Sequence, residues 1–206
     1  MSSDFIGKGI VFSAPSGAGK TTLVRRLLAE RSDLRFSISA TNRPKRGTEK
    51  HGEDYFFLTT EEFRTKAKSG GFLEWEEVYD FRFYGTPHGE VERIWDLGHH
   101  VLFDVDVKGG VRIKKKMGED VLSIFVKPPS LAVLRQRLEA RGTDDAREID
   151  RRMAKAESEM AFSDKFDWVL NNDDLDIAVA QVIERVNAFA PRPKPEGASA
   201  SQSKVP

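Results

Sequence analysis

The sequence predicts an α/β fold, a parallel sheet flanked by helices and interrupted by a small mixed α+β lobe. Three observations predict it. Short apolar runs (Gly9–Phe12, Val101–Phe103, Val121–Val126, Phe166–Leu170) alternate with amphipathic stretches of helical period, as strands joined by crossover helices do. Residues 36–86 break that alternation with several short strands, one helix and basic loops. A glycine-bearing turn, Ser13-Ala14-Pro15-Ser16-Gly17-Ala18-Gly19-Lys20-Thr21-Thr22, separates the first apolar run from the first amphipathic stretch (Leu23, Val24, Leu27, Leu28).

The turn carries the first chemistry. Gly17 and Gly19 let the backbone open and approach an anion closely. Successive N–H groups then point inward, and the helix beginning near Lys20 aims its positive end at the same place. Lys20 is expected to reach the outer phosphates of a nucleotide, and the Thr21 hydroxyl to hold Mg²⁺. The pattern G-x-x-x-x-G-K-[ST] asks for glycine where the chain has Ala14. An ordinary glycine turn is the alternative, but strand before and helix after supply the context a P-loop requires.

The composition sets bounds on the rest. The chain has 206 residues, enough for one α/β domain with a full core, and 33 basic side chains balance 33 acidic ones. No global field favours nucleic acid or an anionic membrane. Cysteine is absent, which excludes disulfides, thiol catalysis and zinc–thiolate sites. The four histidines have no metal-ligand spacing, and His99-His100 reads as a solvated turn before a strand. No stretch resembles a signal peptide or approaches membrane-spanning length, so a soluble cytoplasmic protein is expected.

Taken in order, residues 9–14 read as a buried strand, 20–31 as its helix, and Arg35–Ser39 as a second strand. The basic turn Thr41-Asn42-Arg43-Pro44-Lys45-Arg46-Gly47 follows. Arg43 and Arg46 could clamp a phosphate, since guanidinium forks bind such oxygens in pairs, although these residues alone favour a solvated loop. Asp54–Leu58 reads as a strand, Thr60 as the cap of a helix to Lys68, and Phe72–Tyr79 and Phe81–Thr86 as extended segments. Pro87 opens a helix to about Leu97.

Val101–Asp106 gives the second chemical signal, a strand with carboxylates at its C-terminal end. Period two puts Asp104 and Asp106 on the same side. Ligands of open α/β sheets bind beyond those ends, so Asp104 is placed to order a Mg²⁺ shell beside the phosphate loop. The alternative is that both carboxylates cap the next helix. That helix spans 107–117, and a strand follows at 121–126. Ser130 caps a helix bearing Leu131, Leu134 and Leu138, with Arg137 and Arg141 on one face and Gly142 at its end. Asp144 or Asp145 starts a long helix with a narrow stripe of Ile149, Met153, Ala156 and Met160. Such a helix is either a mobile lid or an exposed surface helix. Phe166–Leu170 is the last strand and 174–189 the last helix, with Ile177, Val179, Val182, Ile183 and Val186 as its stripe. Residues 191–206 have almost no core-forming side chains and are expected to be a disordered tail.

The particular strings resemble bacterial guanylate kinase over about residues 7–189. They are the phosphate loop, Ser39 with Thr41-Asn42-Arg43, Arg46-Gly47, Gly52-Glu53-Asp54-Tyr55-Phe56-Phe57, Phe72-Leu73-Glu74-Trp75, Tyr84-Gly85-Thr86, Asp104-Val105-Asp106, Arg137 with Arg141-Gly142, Arg152 and Asn172-Asp173-Asp174. The resemblance implies one domain, 1–190. Its core would comprise 1–37, 91–136 and 159–190, its GMP-binding lobe 38–90 and its lid 137–158. It also implies Mg-dependent transfer of the ATP γ-phosphoryl group to GMP or dGMP. By matching position, Ala14, Pro15, Ser16, Gly17, Ala18, Gly19, Lys20, Thr21, Thr22 and Asn172 would bind ATP. Arg43, Arg46, Tyr55 and Tyr84 would hold the GMP phosphate, and Ser39, Glu74 and Thr86 would read guanine, with Asp106 beside the metal or the nucleotide. Lys20, Arg43, Arg137, Arg141 and Arg152 would be catalytic, and Thr21 and Asp104 would hold the metal. The chain departs from the family in its basic turn, in one extra residue between Glu74 and Tyr84, and in Lys108, where glutamine is common.

Three other readings compete with this one. Asp106-Val107-Lys108-Gly109 fits the D-x-x-G of GTPase switches, but no guanine-reading N-K-x-D exists. A non-catalytic interaction module would be expected to lose the phosphate loop, which is intact. A kinase for another monophosphate is opposed by Glu74 with Ser39, because a carboxylate suits the two adjacent donors of guanine and repels the N1 lone pair of adenine.

Overall fold

The computed structural model describes residues 6–79, 81–140, 142 and 145–192. Nine strands and seven α-helices are found among them. The first sheet contains β1 (Gly9–Ser13), β2 (Leu34–Phe36), β7 (His100–Asp104), β8 (Val121–Lys127) and β9 (Trp168–Asn171) in the order β2-β7-β1-β8-β9. Every pairing in it is parallel. The expected parallel sheet flanked by helices is therefore present, with its central strands buried end to end.

Alternation along β1 divides the core. Ile10 and Phe12 pack with Leu23, Val24 and Leu27 of α1 (Lys20–Glu30) and with Ala178, Val179, Val182 and Val186 of α7 (Leu175–Phe189). Val11 faces the other way, toward Val91 and Ile94 of α3 (His88–Asp96) and Val107 and Ile113 of α4 (Val107–Met117). The C-terminal ends of β1, β7, β8 and β9 gather the loops that hold the candidate residues.

A second, mixed sheet has the order β4-β3-β6-β5, built from β3 (Ala40–Thr41), β4 (Phe56–Phe57), β5 (Phe72–Tyr79) and β6 (Arg82–Pro87). It packs on α2 (Thr60–Lys68) around Phe63, whose ring stacks on Phe72 and Phe83 at centroid distances of 4.5 and 5.4 Å. A fourth, small cluster joins α5 (Leu131–Ala140) to α6 (Ala146–Met160) through Leu134, Leu138, Ile149, Met153 and Ala156.

Several sequence expectations need correction. The strand expected over Val101–Asp106 ends at Asp104, and Asp106 caps α4 by accepting the Gly109 N–H at 2.7 Å. Asp104 and Asp106 are thus not alternate residues of one strand, and helix capping prevails at Asp106. Thr59, not Thr60, caps α2, in a reciprocal box with Glu62. The segments expected at Arg35–Ser39 and Asp54–Leu58 shrink to β2 and β4. Ile177 is 61% exposed, and Ala178 takes the buried position.

His100 is not on a solvated turn. It is buried in β7, its Nδ1 accepts the Lys8 N–H at 3.0 Å, and its Nε2 lies 3.2 Å from the Pro191 carbonyl. A neighbouring network explains the burial. Arg31, fully buried, donates to both oxygens of Asp33, to Asn187 and to the Ala190 carbonyl, fastening the end of α7 to the sheet. Arg141, Asp144 and the expected tail from residue 193 onward lie outside the described residues.

Candidate active site

The phosphate loop follows from backbone geometry. Gly17 and Gly19 have φ of +94° and +92°, which a side chain would strain. Ala14 is not among the residues of positive φ, so its position does not require the glycine of the general pattern. α1 begins at Lys20 with no side chain capping it and no acid in its first turn. Its uncapped N–H groups and positive dipole end therefore face the loop unopposed.

A cavity of about 590 Å³ opens here, lined by the whole loop from Ala14 to Thr22, by Asp104 and Asp106, and by Arg137, Arg152, Lys155 and Glu159 of α5 and α6. Lys20 pairs with Asp104 across it and also donates to the Val105 carbonyl at 3.3 Å. Burial pulls the Lys20 ammonium down to about 8, while the negative charges of Asp106 and Glu159 hold its proton. Arg152 donates to Ser16 Oγ at 3.1 Å and binds Glu148 at 3.3 Å, so α6 already touches the loop. Arg137 lies 3.4 Å from the Asn172 carbonyl.

Asn172 has a role that sequence reasoning did not assign. Its buried amide donates to the Ala18 carbonyl at 2.7 Å and braces the loop from the end of β9. It also lines a cavity of about 280 Å³ with Gly19, Thr22, Arg137, Asp173 and Leu175, beside the phosphate cavity.

On the lobe side, a cavity of about 200 Å³ is lined by Ser39, Tyr55, Glu74, Glu76, Tyr84, Gly85 and the stretch 104–106. Thr86 Oγ1 donates to Glu74 Oε1 at 2.9 Å. Glu74 is buried, and burial pushes its carboxyl above the usual range. Asp106 pushes the same way, while the Thr86 hydrogen bond and Arg112 oppose them. Ser39, Tyr55, Glu74, Tyr84 and Asp106 thus come together around one pocket, with Thr86 joined to it through Glu74.

The two arginines of the basic turn differ. Arg43 is buried against Tyr55, its guanidinium 4.9 Å from the ring centroid. Its fork is taken by Glu49, with contacts of 2.6 and 2.7 Å. Glu49 also accepts the Arg46 N–H at 2.8 Å, and the Arg43 fork draws its carboxyl down to about 2. The Arg46 side chain is exposed. Glu49, like Glu159, was missed from sequence, where a carboxylate among basic residues reads as part of a solvated face. The loop is fastened by Asn42, which donates to Thr60 and to the Phe81 carbonyl and accepts from Phe83.

The oxygen donors near the loop suit a hard cation. Among the described residues no group of three or more carboxylates and histidines forms a cage. Thr21, Asp104 and Asp106 bound the same cavity, and Mg²⁺ characteristically takes one or two protein oxygens with substrate phosphates and water. The residues therefore fit Mg²⁺ carried in with a nucleotide. No helix among the described residues is long and apolar enough to cross a membrane.

Comparison with known proteins gives a consistent result. The family model described as guanylate kinase matches residues 6–189. The chain is 55% identical to a guanylate kinase of Bacteroides thetaiotaomicron over 89% of this chain and 90% of the relative. It is 42% identical to one of Chlorobaculum tepidum, covering 91% and 95%. Its fold is similar to the crystal structure of guanylate kinase from Anaplasma phagocytophilum, with a TM-score of 0.71, 30% identity, and coverage of 91% and 88%.

Proposed function

The chain belongs to the guanylate kinase family, and from that premise we propose how its residues divide the work of phosphorylating GMP to GDP with ATP. One observation carries the reading. The phosphate-loop cavity and the lobe cavity share Asp104, Val105 and Asp106, so a phosphate entering from each side meets the other there.

Guanine is read in the lobe pocket. Glu74 accepts from guanine N1–H and the 2-amino group, Ser39 donates to O6, and Thr86 orients Glu74. Asp106 lines the nucleotide side of the pocket. The GMP phosphate is held by Arg43, Arg46, Tyr55 and Tyr84, which requires it to share or displace the Glu49 carboxylate on the Arg43 fork. ATP lies along residues 14–22, with Asn172 at the loop's brace, and Lys20, Arg137, Arg141 and Arg152 on its phosphates. Thr21 and Asp104 would hold Mg²⁺, which supplies charge neutralisation between the phosphoryl oxygens when bound. Asp104 becomes available for this when Lys20 exchanges its carboxylate for phosphate oxygen.

The transfer requires no general base. A phosphate monoester is largely dianionic at neutral pH and is already nucleophilic. What the side chains supply is positive charge, in-line alignment and exclusion of water. Residues 38–90 act as the acceptor lobe and 137–158 as the lid, closing on a core of 1–37, 91–136 and 159–190. dGMP is a second acceptor, and the cytoplasm is the working compartment.

ADP formation from ATP and Mg²⁺ with GMP, dGMP, AMP, UMP and CMP as acceptors tests the reading. GMP and dGMP should turn over, with kcat/KM for AMP lower by about 10⁴, because adenine leaves the polar pocket mismatched. Turnover with AMP comparable to that with GMP would refute guanine recognition by Glu74 and Ser39.

A further inference from the structure

Glu74 does not stand alone in its pocket. β5 places Glu74 and Glu76 two residues apart, hence on one side of the strand, and that side faces α4. Arg112 of α4 brings Nη2 to 2.6 Å from Glu76 Oε2 and 3.6 Å from Glu74 Oε2. Lys108, one turn earlier, lies 3.5 Å from Glu76 Oε1. Thr86 holds the opposite Glu74 oxygen from β6. The first turn of α4 closes the space: a Cβ on Gly109 would lie 3.0 Å from Glu74 Oε2 and 3.2 Å from Asp106 Oδ1.

We propose that Arg112 is a positioning residue for acceptor recognition, fixing the Glu74 carboxylate from α4 while Glu76 anchors the guanidinium. The proposal rests on the reading of Glu74 as the group that binds guanine. Its geometry divides the labour. The short contact to Glu76 holds the guanidinium in place. The longer one leaves it near enough to act on Glu74's charge but too far to occupy the lone pair that guanine needs. The charge requires support. Glu74 is buried, and Asp106 faces it from the cap of α4. A protonated Glu74 would offer an O–H where guanine also presents donors. Arg112 and the Thr86 hydroxyl are what oppose that protonation, with Glu76 pairing both the Arg112 guanidinium and the Lys108 ammonium, and the phenols of Tyr55 and Tyr84 also lining the pocket.

The test is a double-mutant cycle on Arg112→Gln and Glu74→Gln, with Arg112→Lys alongside, recording steady-state constants for GMP and ATP across the acid and neutral pH range. Arg112→Gln should raise the GMP KM by about tenfold and move the acid limb of kcat/KM for GMP upward by about one pH unit. kcat at saturating GMP and the ATP KM should change little. Arg112→Lys should recover most of the loss, and it carries the comparison if the glutamine variant does not fold. In a Glu74→Gln background Arg112→Gln should add nothing further. An unchanged GMP KM and acid limb in Arg112→Gln, or the same loss in both backgrounds, would overturn the proposal. A Glu74→Gln enzyme with unaltered GMP dependence would overturn the guanine reading beneath it, whatever Arg112 does.

Discussion

Lys20 shows how burial sets the chemistry of a single side chain. It lies at the mouth of α1, against Asp104, with Asp106 and Glu159 close enough to act on its charge. Burial brings its ammonium down to about 8, so the free enzyme loses that charge as pH rises through the same value. Only the charged form attracts ATP phosphates. We therefore expect kcat/KM for ATP to fall above about pH 8. Bound ATP adds negative charge beside Lys20 and raises its proton affinity, so kcat should hold to higher pH than kcat/KM. Paired pH profiles check this, and a kcat/KM that stays level well into the alkaline range would remove Lys20 as the titrating group. Lys20→Ala should lower kcat by about 10³ while leaving thermal unfolding nearly unchanged, since the side chain neutralises phosphate rather than filling core. A melting temperature that collapsed with activity would instead make Lys20 a structural partner of Asp104.

At the scale of elements, the phosphate loop depends on a strand distant in sequence. Asn172, just past β9, donates to the Ala18 carbonyl, and a Cβ on Gly19 would come within 2.3 Å of that amide nitrogen at a φ of +92°. Gly19→Ala should therefore cost about 1–3 kcal/mol in backbone strain and push Asn172 off the loop. The expected outcome is a folded protein whose affinity for a non-hydrolysable ATP analogue drops sharply in calorimetry while its affinity for GMP stays near that of the parent. Equal loss of both would show that the strain spreads beyond the loop. The junction also marks where sequence stops being informative. The loop, its flanking strand and helix, and the carboxylates 104 and 106 were legible because their residue types and local periods are fixed by the backbone they need. Glu74, Ser39 and Arg152 took their roles from family resemblance. Arg43 and Arg46 stood out as a possible phosphate clamp and Arg137 and Arg141 as one helix face, but their roles too came from the resemblance. Four features stayed hidden: the brace by Asn172, the hold of Glu49 on Arg43, the place of Glu159 in the phosphate cavity and the burial of His100. Each depends on which segments the sheet order brings together, and that order is not written in any local stretch. Asp106 was misplaced for a local reason, because period two was continued past a strand that in fact gives way to a helix cap.

Over the whole molecule, four hydrophobic clusters among the described residues fall into three groups that suggest the chain's mechanical plan. The sheet and its covering helices form one body, Phe63 and its partners a second, and α5 with α6 a third. The phosphate-loop cavity and the lobe cavity border different pairs of these bodies, and the lining residues they share are 104–106. Transfer demands that two highly charged phosphates be brought into line and screened from water, and side chains on separate bodies can do this only if the bodies approach. Arg152 reaches Ser16, so α6 makes part of its contact with the phosphate loop through its own side chain. The larger movement should therefore come from the 38–90 lobe, driven by GMP. Two donor–acceptor dye pairs would measure it, one spanning lobe and core and the other α6 and core. GMP alone should shorten the lobe distance substantially, an ATP analogue alone should shorten the α6 distance slightly, and both together should give the shortest values of each. Lobe closure driven by the ATP analogue without GMP would reverse this assignment, because it would mean that the lobe senses the donor rather than the acceptor we propose it holds between Glu74 and Arg43.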